Sequence, residues 1–167
     1  MLGPLGNAFI IPNRAQRLLM IAGGVGVAPL VMLSDEAVAE NLDVVFVMGA
    51  ADEAGLLSAS ELSGRIEYVV ATDDGSRGHR GLATEVVGDY VQWADQMYAC
   101  GPEPMYRTLR AVVDPLRVNR KPSVQVSVER GMACGLGACL GCVVETTHGM
   151  IASCVKGPVF DLDEVIL

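Results

Sequence analysis

The sequence predicts an α/β protein, a parallel five-stranded sheet with helices on both faces, followed by a small cysteine-rich domain. Three observations predict it. Short apolar runs alternate with stretches of helical spacing, the pattern of strands covered on both sides. Glycine-containing turns follow two of those runs and open helices. Four of the five cysteines crowd between Cys134 and Cys154, where helical periodicity is absent.

Residues 1–17 carry Gly3, Pro4, Gly6 and Pro12 and read as a lead-in. Leu18–Ala22 is a buried strand. Ala28–Glu40 has helical spacing and begins near Pro29, which a first helical turn tolerates. Asp43–Ala50 is a second strand, Ser58–Leu62 a short helix at most, and Ile66–Ala71 a third strand. Gly81–Tyr90 reads as helix and Gln96–Cys100 as the fourth strand. Glu103–Val118 is the clearest helix, with Met105, Leu109, Val112 and Leu116 on one face. Ser123–Val128 alternates as a fifth strand. The texture changes after it, so the expected division is lead-in 1–17, α/β domain 18–128 and cysteine-rich domain 129–167. The last part is too small for a core of its own and needs a covalent or metal staple.

Half of the 167 residues are apolar, enough for a sizeable core, and the formal net charge is −8. That charge argues against nucleic acid and against an anionic membrane surface as partners. The uncharged run from Leu18 to Leu33 follows Arg14 and Arg17 and mimics the core of a signal peptide. Gly23, Gly24, Gly26 and Pro29 would break a membrane helix, and the run falls short of the ~20 residues a span needs. A soluble, cytoplasmic protein is expected. The odd number of cysteines, without a convincing secretory signal, argues against a disulfide framework.

Cys134, Cys139, Cys142 and Cys154 are spaced x4, x2, x11, the plant-type pattern for a [2Fe–2S] cluster. Two sulfide-bridged irons need four thiolates, two on each. Gly135, Gly137 and Gly141 let the backbone wrap the cluster with N–H groups toward sulfur. The fourth thiolate is expected on a neighbouring strand holding Ser153–Val155. The competing reading is a structural zinc site, although zinc ribbons normally use two Cys-x2-Cys knuckles and this chain has one x2 pair.

The loop containing Gly23, Gly24, Gly26 and Pro29 lies between a strand and a helix, where α/β folds take pyrophosphate. Its spacing is not G-x-G-x-x-G, and a turn needed only for packing is the alternative. Cys100, Gly101 and Pro102 also stand at a strand end where ligands bind, while Cys100 alone could be a small buried hydrophobe. Asp73-Asp74-Gly75-Ser76 reads first as a polar turn, and second as a place where Asp74 bonds a ribose or amide. His79 and His148 read as solvated loop residues.

Taken together, the Gly-Gly-Val-Gly-Val-Ala-Pro-Leu segment at 23–30 and Cys100-Gly101-Pro102 resemble the nicotinamide-binding domain of the ferredoxin–NADP reductase superfamily. Thr72-Asp73-Asp74-Gly75-Ser76, the block from Glu129 to Cys142 and the block from Cys154 to Phe160 narrow the resemblance. They are similar to the electron-transfer subunit of NAD-dependent (class 1B) dihydroorotate dehydrogenase. The resemblance implies a [2Fe–2S] cluster, NAD(H) and FAD, and an FMN-containing catalytic partner subunit that oxidises dihydroorotate in pyrimidine biosynthesis. It implies that Gly23, Gly24, Gly26 and Pro29 hold the pyrophosphate, and that Cys100, Gly101 and Pro102 sit by the nicotinamide and flavin. A related NAD(P)H–ferredoxin oxidoreductase subunit is the second reading; Cys134 and its Met-Ala-Cys-Gly lead-in favour the first. The family carries a flavin-binding barrel before this region, and the lead-in resembles only its end. Flavin binding by this chain alone is therefore not expected, nor much NADH-linked activity. The acidic loop Ala50-Ala51-Asp52-Glu53 offers no base for a 2′-phosphate, which points to NAD.

Overall fold

Backbone polar groups in a buried strand must be paired on both sides, and here one central strand organises the rest. The computed structural model describes residues 3–119 and 121–167. Strand β1 (Arg17–Gly23) is buried from Leu18 to Ala22. It pairs in parallel with β2 (Asp43–Ala50) on one side and β5 (Gln96–Cys100) on the other. Beyond β2 lie β3 (Glu67–Thr72) and the two-residue edge strand β4 (His79–Arg80); beyond β5 lies β6 (Ser123–Ser127). Strand β9 (Val159–Asp161) pairs antiparallel with β6, giving seven strands in the order β4-β3-β2-β1-β5-β6-β9. The sheet thus has two strands more than the sequence suggests. The two- and three-residue strands carry no periodicity and exist only through their neighbours.

Alternation along β1 serves two cores. Leu18, Met20 and Ala22 pack with Phe46, Tyr98 and the buried stripe Leu30, Leu33 and Ala37 of helix α1 (Val27–Ala39). Leu19 and Ile21 pack on the opposite face with Val87 of α2 (Ala83–Val87) and Leu109 and Val113 of α3 (Glu103–Val113). Helices therefore cover both faces, as expected. Helix α2 passes into a 3-10 turn at Gly88–Tyr90. Helix α3 ends five residues earlier than its pattern suggests, because Pro115 cannot continue the hydrogen-bond ladder and Asp114–Leu116 tightens to a 3-10 turn. Its buried stripe is Tyr106, Leu109 and Val113, with Val112 only partly buried.

The C-terminal segment is not a separate layer. Hairpin β7 (Val143–Thr146) and β8 (Gly149–Ala152) leads into the single turn α4 (Ser153–Lys156), so Ser153–Val155 is helical rather than extended. Val144, Phe160, Leu162 and Val165 enter the same core as α3. Arg110 donates to the Val165 carbonyl at 2.7 Å, and Arg117 pairs with Asp163 at 2.7 Å. The lead-in is docked too. Asn7 brackets the turn before β9, donating to the Lys156 and Val159 carbonyls and accepting from Val159 N–H. Phe9 meets Tyr98 edge-on at 5.6 Å, and the Ile10 backbone exchanges two hydrogen bonds with the Gln125 side chain. Among the described residues no helix is long and apolar enough to cross a membrane.

The start of β1 is held by Asp95. Its carboxylate accepts from Gln16 N–H, Arg17 N–H and the Arg17 guanidinium. The guanidinium's hydrogen bond, above all, holds the carboxyl pKa down to about 2. An unfolded Asp titrates near ~3.9, so this clamp contributes fully above about pH 4 and is lost as pH falls through about 2. Asp95→Asn is expected to lower the Tm at pH 7, with the gap to wild type closing between about pH 4 and pH 2. A gap that stays constant over that range in thermal melts would show the clamp is not ionic.

Candidate functional site

A cleft of about 820 Å³ opens over the carboxyl ends of β1, β2, β5 and β6. It lies where open parallel sheets bind ligands. Gly23, Gly24, Gly26 and Pro29 form one wall, and Cys100, Gly101 and Pro102 face them. The two glycine turns are therefore halves of one site. Their closeness has a steric cause: a Cβ on Gly26 would lie 2.2 Å from the Cys100 carbonyl oxygen. Only glycine lets α1 begin against the end of β5. Gly26 is also the N-cap of α1, with no side-chain cap and no acid in the first turn. Val27 N–H is taken by the Gly24 and Val25 carbonyls and Pro29 has none, so this start of α1 offers an anion in the cleft the positive end of the helix dipole rather than a row of free amides.

The cleft carries few charges: Asp73 at the β2–β3 end, and Glu129 and Arg130 at the β5–β6 end. Asp74 does not line it. Its carboxylate accepts from Ser76 N–H at 2.8 Å, and hydrogen bonds from Ser76 hold it below the usual carboxylate range. Asp74 thus caps its own turn and Asp73 faces the cleft. The loop is stapled to the one after β2 through Glu53, whose N–H bonds Ser76 Oγ at 2.8 Å and whose carboxylate pairs with Arg77 at 3.2 Å. Cys100 is half-buried, and burial pushes its thiol pKa up, which suits a neutral packing group better than a nucleophile.

The cysteine loop leaves β6 along the floor of this cleft. Met132 still lines it, two residues before Cys134. Positive φ at Gly135 (68°) and Gly137 (75°) curls the chain around the sulfurs. The sulfurs act on one another in two neighbouring pairs: the Cys139 side chain helps lower the Cys134 pKa, and Cys142 and Cys154 shift each other in opposite directions. Backbone N–H groups surround them. Leu136 and Cys139 donate to Cys134 Sγ at 3.4 and 3.5 Å, and Gly141 to Cys139 Sγ at 3.5 Å. Cys154 N–H donates to Cys142 Sγ at 3.4 Å, and Gly137 N–H reaches Cys154 Sγ at 3.2 Å. The donation from Leu136, above all, lowers the Cys134 pKa to about 6. Among the described residues no three His, Cys, Asp or Glu side chains form a set that could hold one metal ion. Two thiol pairs within a cage of amide donors have the chemistry a dinuclear iron–sulfur centre asks of its ligands.

Comparison with known proteins agrees with this layout. Residues 20–111 match the family described as oxidoreductase NAD-binding domain. The chain belongs to that family. Residues 129–166 match the iron–sulfur cluster binding domain of dihydroorotate dehydrogenase B. The chain is 39% identical over 170 residues to the dihydroorotate dehydrogenase B (NAD(+)) electron transfer subunit of Caldanaerobacter subterraneus subsp. tengcongensis, with 98% of this chain and 64% of that protein covered. It is 39% identical to the subunit of the same description from Bacillus caldolyticus, again covering 64% of it. The chain thus spans a little under two-thirds of the length of these relatives. Among solved structures it is similar to the NADH-dependent reduced ferredoxin–NADP oxidoreductase, with a TM-score of 0.82, 26% identity, and 99% of this chain and 59% of that chain covered. A ferredoxin reductase of carbazole 1,9a-dioxygenase shares the fold at a TM-score of 0.58.

For an oxidoreductase NAD-binding domain, three residues that the sequence does not single out stand near the site. Arg130, which lines the cleft, pairs with Glu103 at the start of α3 at 3.3 Å, Asn7 fixes the turn after α4, and Tyr106 lies beneath Gly101. Only Tyr106 carries a sequence signal, its place one helical turn after Gly-Pro. Gly26→Ala is expected to force α1 and β5 apart, to cost about 1–3 kcal/mol in thermal unfolding, and to weaken NADH binding more than tenfold. A variant with wild-type Tm and NADH affinity in a fluorescence titration would contradict the steric account.

Proposed function

We propose that this chain is the nicotinamide- and cluster-bearing part of an electron-transfer subunit of NAD-dependent dihydroorotate dehydrogenase, working in the cytoplasm. Its units are the lead-in 1–17, the NAD(H)-binding domain 18–128 and the [2Fe–2S] domain 129–167. Cys134 and Cys139 would hold one iron, and Cys142 and Cys154 the other. The observation that carries the reading is the continuity between the cleft and the paired thiols, with Met132 in the cleft wall and Cys134 in the amide cage. The Gly23–Gly26 turn and the first turn of α1 would bind the pyrophosphate. Asp73 would accept from a ribose hydroxyl, and Cys100, Gly101 and Met105 would face the nicotinamide.

A bound cluster supplies one-electron transfer, whereas a nicotinamide gives or takes a hydride, so a flavin must stand between them to split the pair. The relatives extend beyond the region matched here, and FAD would belong with that additional sequence. An FMN-containing catalytic subunit would then exchange electrons with the cluster. The amide donors on the sulfurs would stabilise added negative charge, and Leu136 and Leu140, both exposed, would meet the partner. A flavin and iron–sulfur subunit of an NAD(P)H–ferredoxin oxidoreductase is the second reading, favoured by the TM-score of 0.82.

Anaerobic purification should give a red-brown protein with two irons and two sulfides per chain and a rhombic S = 1/2 EPR signal after dithionite. Cys154→Ser should lose that signal and Cys100→Ser should keep it. A colourless protein with stoichiometric zinc would make the four cysteines a structural staple and end the redox reading. Leu136→Glu should weaken binding to the FMN-containing catalytic subunit at least tenfold while leaving the cluster's spectrum intact. Unchanged affinity in a pull-down titration would remove Leu136 from the docking surface.

A further inference from the structure

We propose that Tyr106 is a positioning residue for the nicotinamide end of the cleft, its phenol setting the place of the Cys100–Gly101–Pro102 turn against the end of β6. The inference rests on the reading that this cleft binds NAD(H). The Tyr106 side chain is buried, at 1% exposure, under the first turns of α3. Its hydroxyl donates to the Ser127 carbonyl at 2.6 Å and accepts from Gly101 N–H at 3.1 Å. Burial pushes its pKa up, so the phenol stays protonated and keeps both roles at neutral pH.

The bridge stands where the sheet gives out. Regular pairing of β5 with β6 ends at Cys100 opposite Ser127. Gly101 lies one residue past that register, and its N–H is taken by the phenol instead of by a strand neighbour. Gly101 and Ser127 both line the cleft, while Tyr106 does not. Tyr106 therefore acts on the cleft through these two residues, without touching a ligand there. Pro102 and Pro104 lack N–H groups, and the Cys100 region also meets the backbone of Gly26. The phenol is thus a specific polar tie on a turn with few backbone donors of its own.

The two ends of the cleft differ in chemistry, which makes the role separable from general stability. Asp73 and the small residues Ala50 and Ala51 line the β2–β3 end and suit a ribose. Cys100, Met105 and Met132 line the β5–β6 end and suit a flat aromatic ring. Tyr106 bears only on the second end. Removing its hydroxyl should weaken a ligand that fills both ends and spare one that fills only the first.

The test is Tyr106→Phe, which keeps the ring in the core, with folding checked by circular dichroism. NADH and ADP-ribose are each titrated against the full chain, and exchange of the Gly101 amide proton is followed by NMR. The expected result is NADH binding weakened about five- to tenfold, ADP-ribose binding within about twofold of wild type, and faster exchange at Gly101. Equal weakening of both ligands would mean that Tyr106 merely stabilises the fold. Unchanged NADH affinity despite faster exchange at Gly101 would show that the turn needs no such tie. If the wild-type chain bound neither NADH nor ADP-ribose, the cleft reading itself would fail, a result distinct from failure of the Tyr106 role.

Discussion

The contact between Gly26 and the Cys100 carbonyl is the constraint on which the rest of the site depends. Helix α1 begins so near the end of β5 that a Cβ on Gly26 would lie 2.2 Å from the Cys100 carbonyl oxygen. That contact brings the N-terminus of α1 and the end of β5 to opposite walls of one cleft. It also leaves the start of α1 without a side-chain cap, so the positive end of the helix dipole is turned to the cleft. On the β5 side, Cys100 is held further by its pairing with Ala22 and Ser127, and the turn at Gly101 by the Tyr106 phenol.

The C-terminal segment solves a different problem. A two-stranded hairpin such as β7–β8 is marginal alone in water. It is stabilised here by borrowing the main core through Val144, Phe160 and Leu162, and by adding β9 to the free edge of β6. The arginines of α3 and the turn after it tie down the tail, and Asn7 closes the other side. The stretch between β6 and β7, which carries three of the four clustered cysteines, receives no such support from regular structure. It keeps its shape through positive-φ glycines and amide–sulfur hydrogen bonds.

Much of this was legible in the residues, for physical reasons. Strands buried on both faces must be apolar almost throughout, so Leu18–Ala22 and Asp43–Ala50 stood out. The cysteine spacing was visible because three of the four cysteines lie in one short loop. What stayed hidden depends on tertiary contacts. Strands β4 and β9 are too short to show alternation. Ser153–Lys156 forms one helical turn because it must carry Cys154 from β8 toward the Gly157–Pro158 turn. Adjacent carboxylates cannot be told apart by pattern: Asp73 faces the cleft because Asp74 satisfies Ser76. Tyr106 looks like an ordinary core residue of an amphipathic helix, and its hydroxyl becomes informative only when Ser127 and Gly101 are seen on either side of it.

Strand β6 joins the two solutions. Its last residue, Ser127, is paired with Cys100 and bound by Tyr106, and the next, Val128, donates to the Pro158 carbonyl at 2.8 Å. Within two residues the chain is thus tied first to the β5–β6 end of the cleft and then to the turn that follows α4. Six residues later it reaches Cys134. A shift at the Gly101 turn and a shift in the cysteine loop cannot be independent while both are tied to the same end of β6. The end of β6 is therefore held from both sides, by the phenol at Ser127 and by the Pro158 carbonyl at Val128, before the chain enters the loop whose shape the amide–sulfur hydrogen bonds keep.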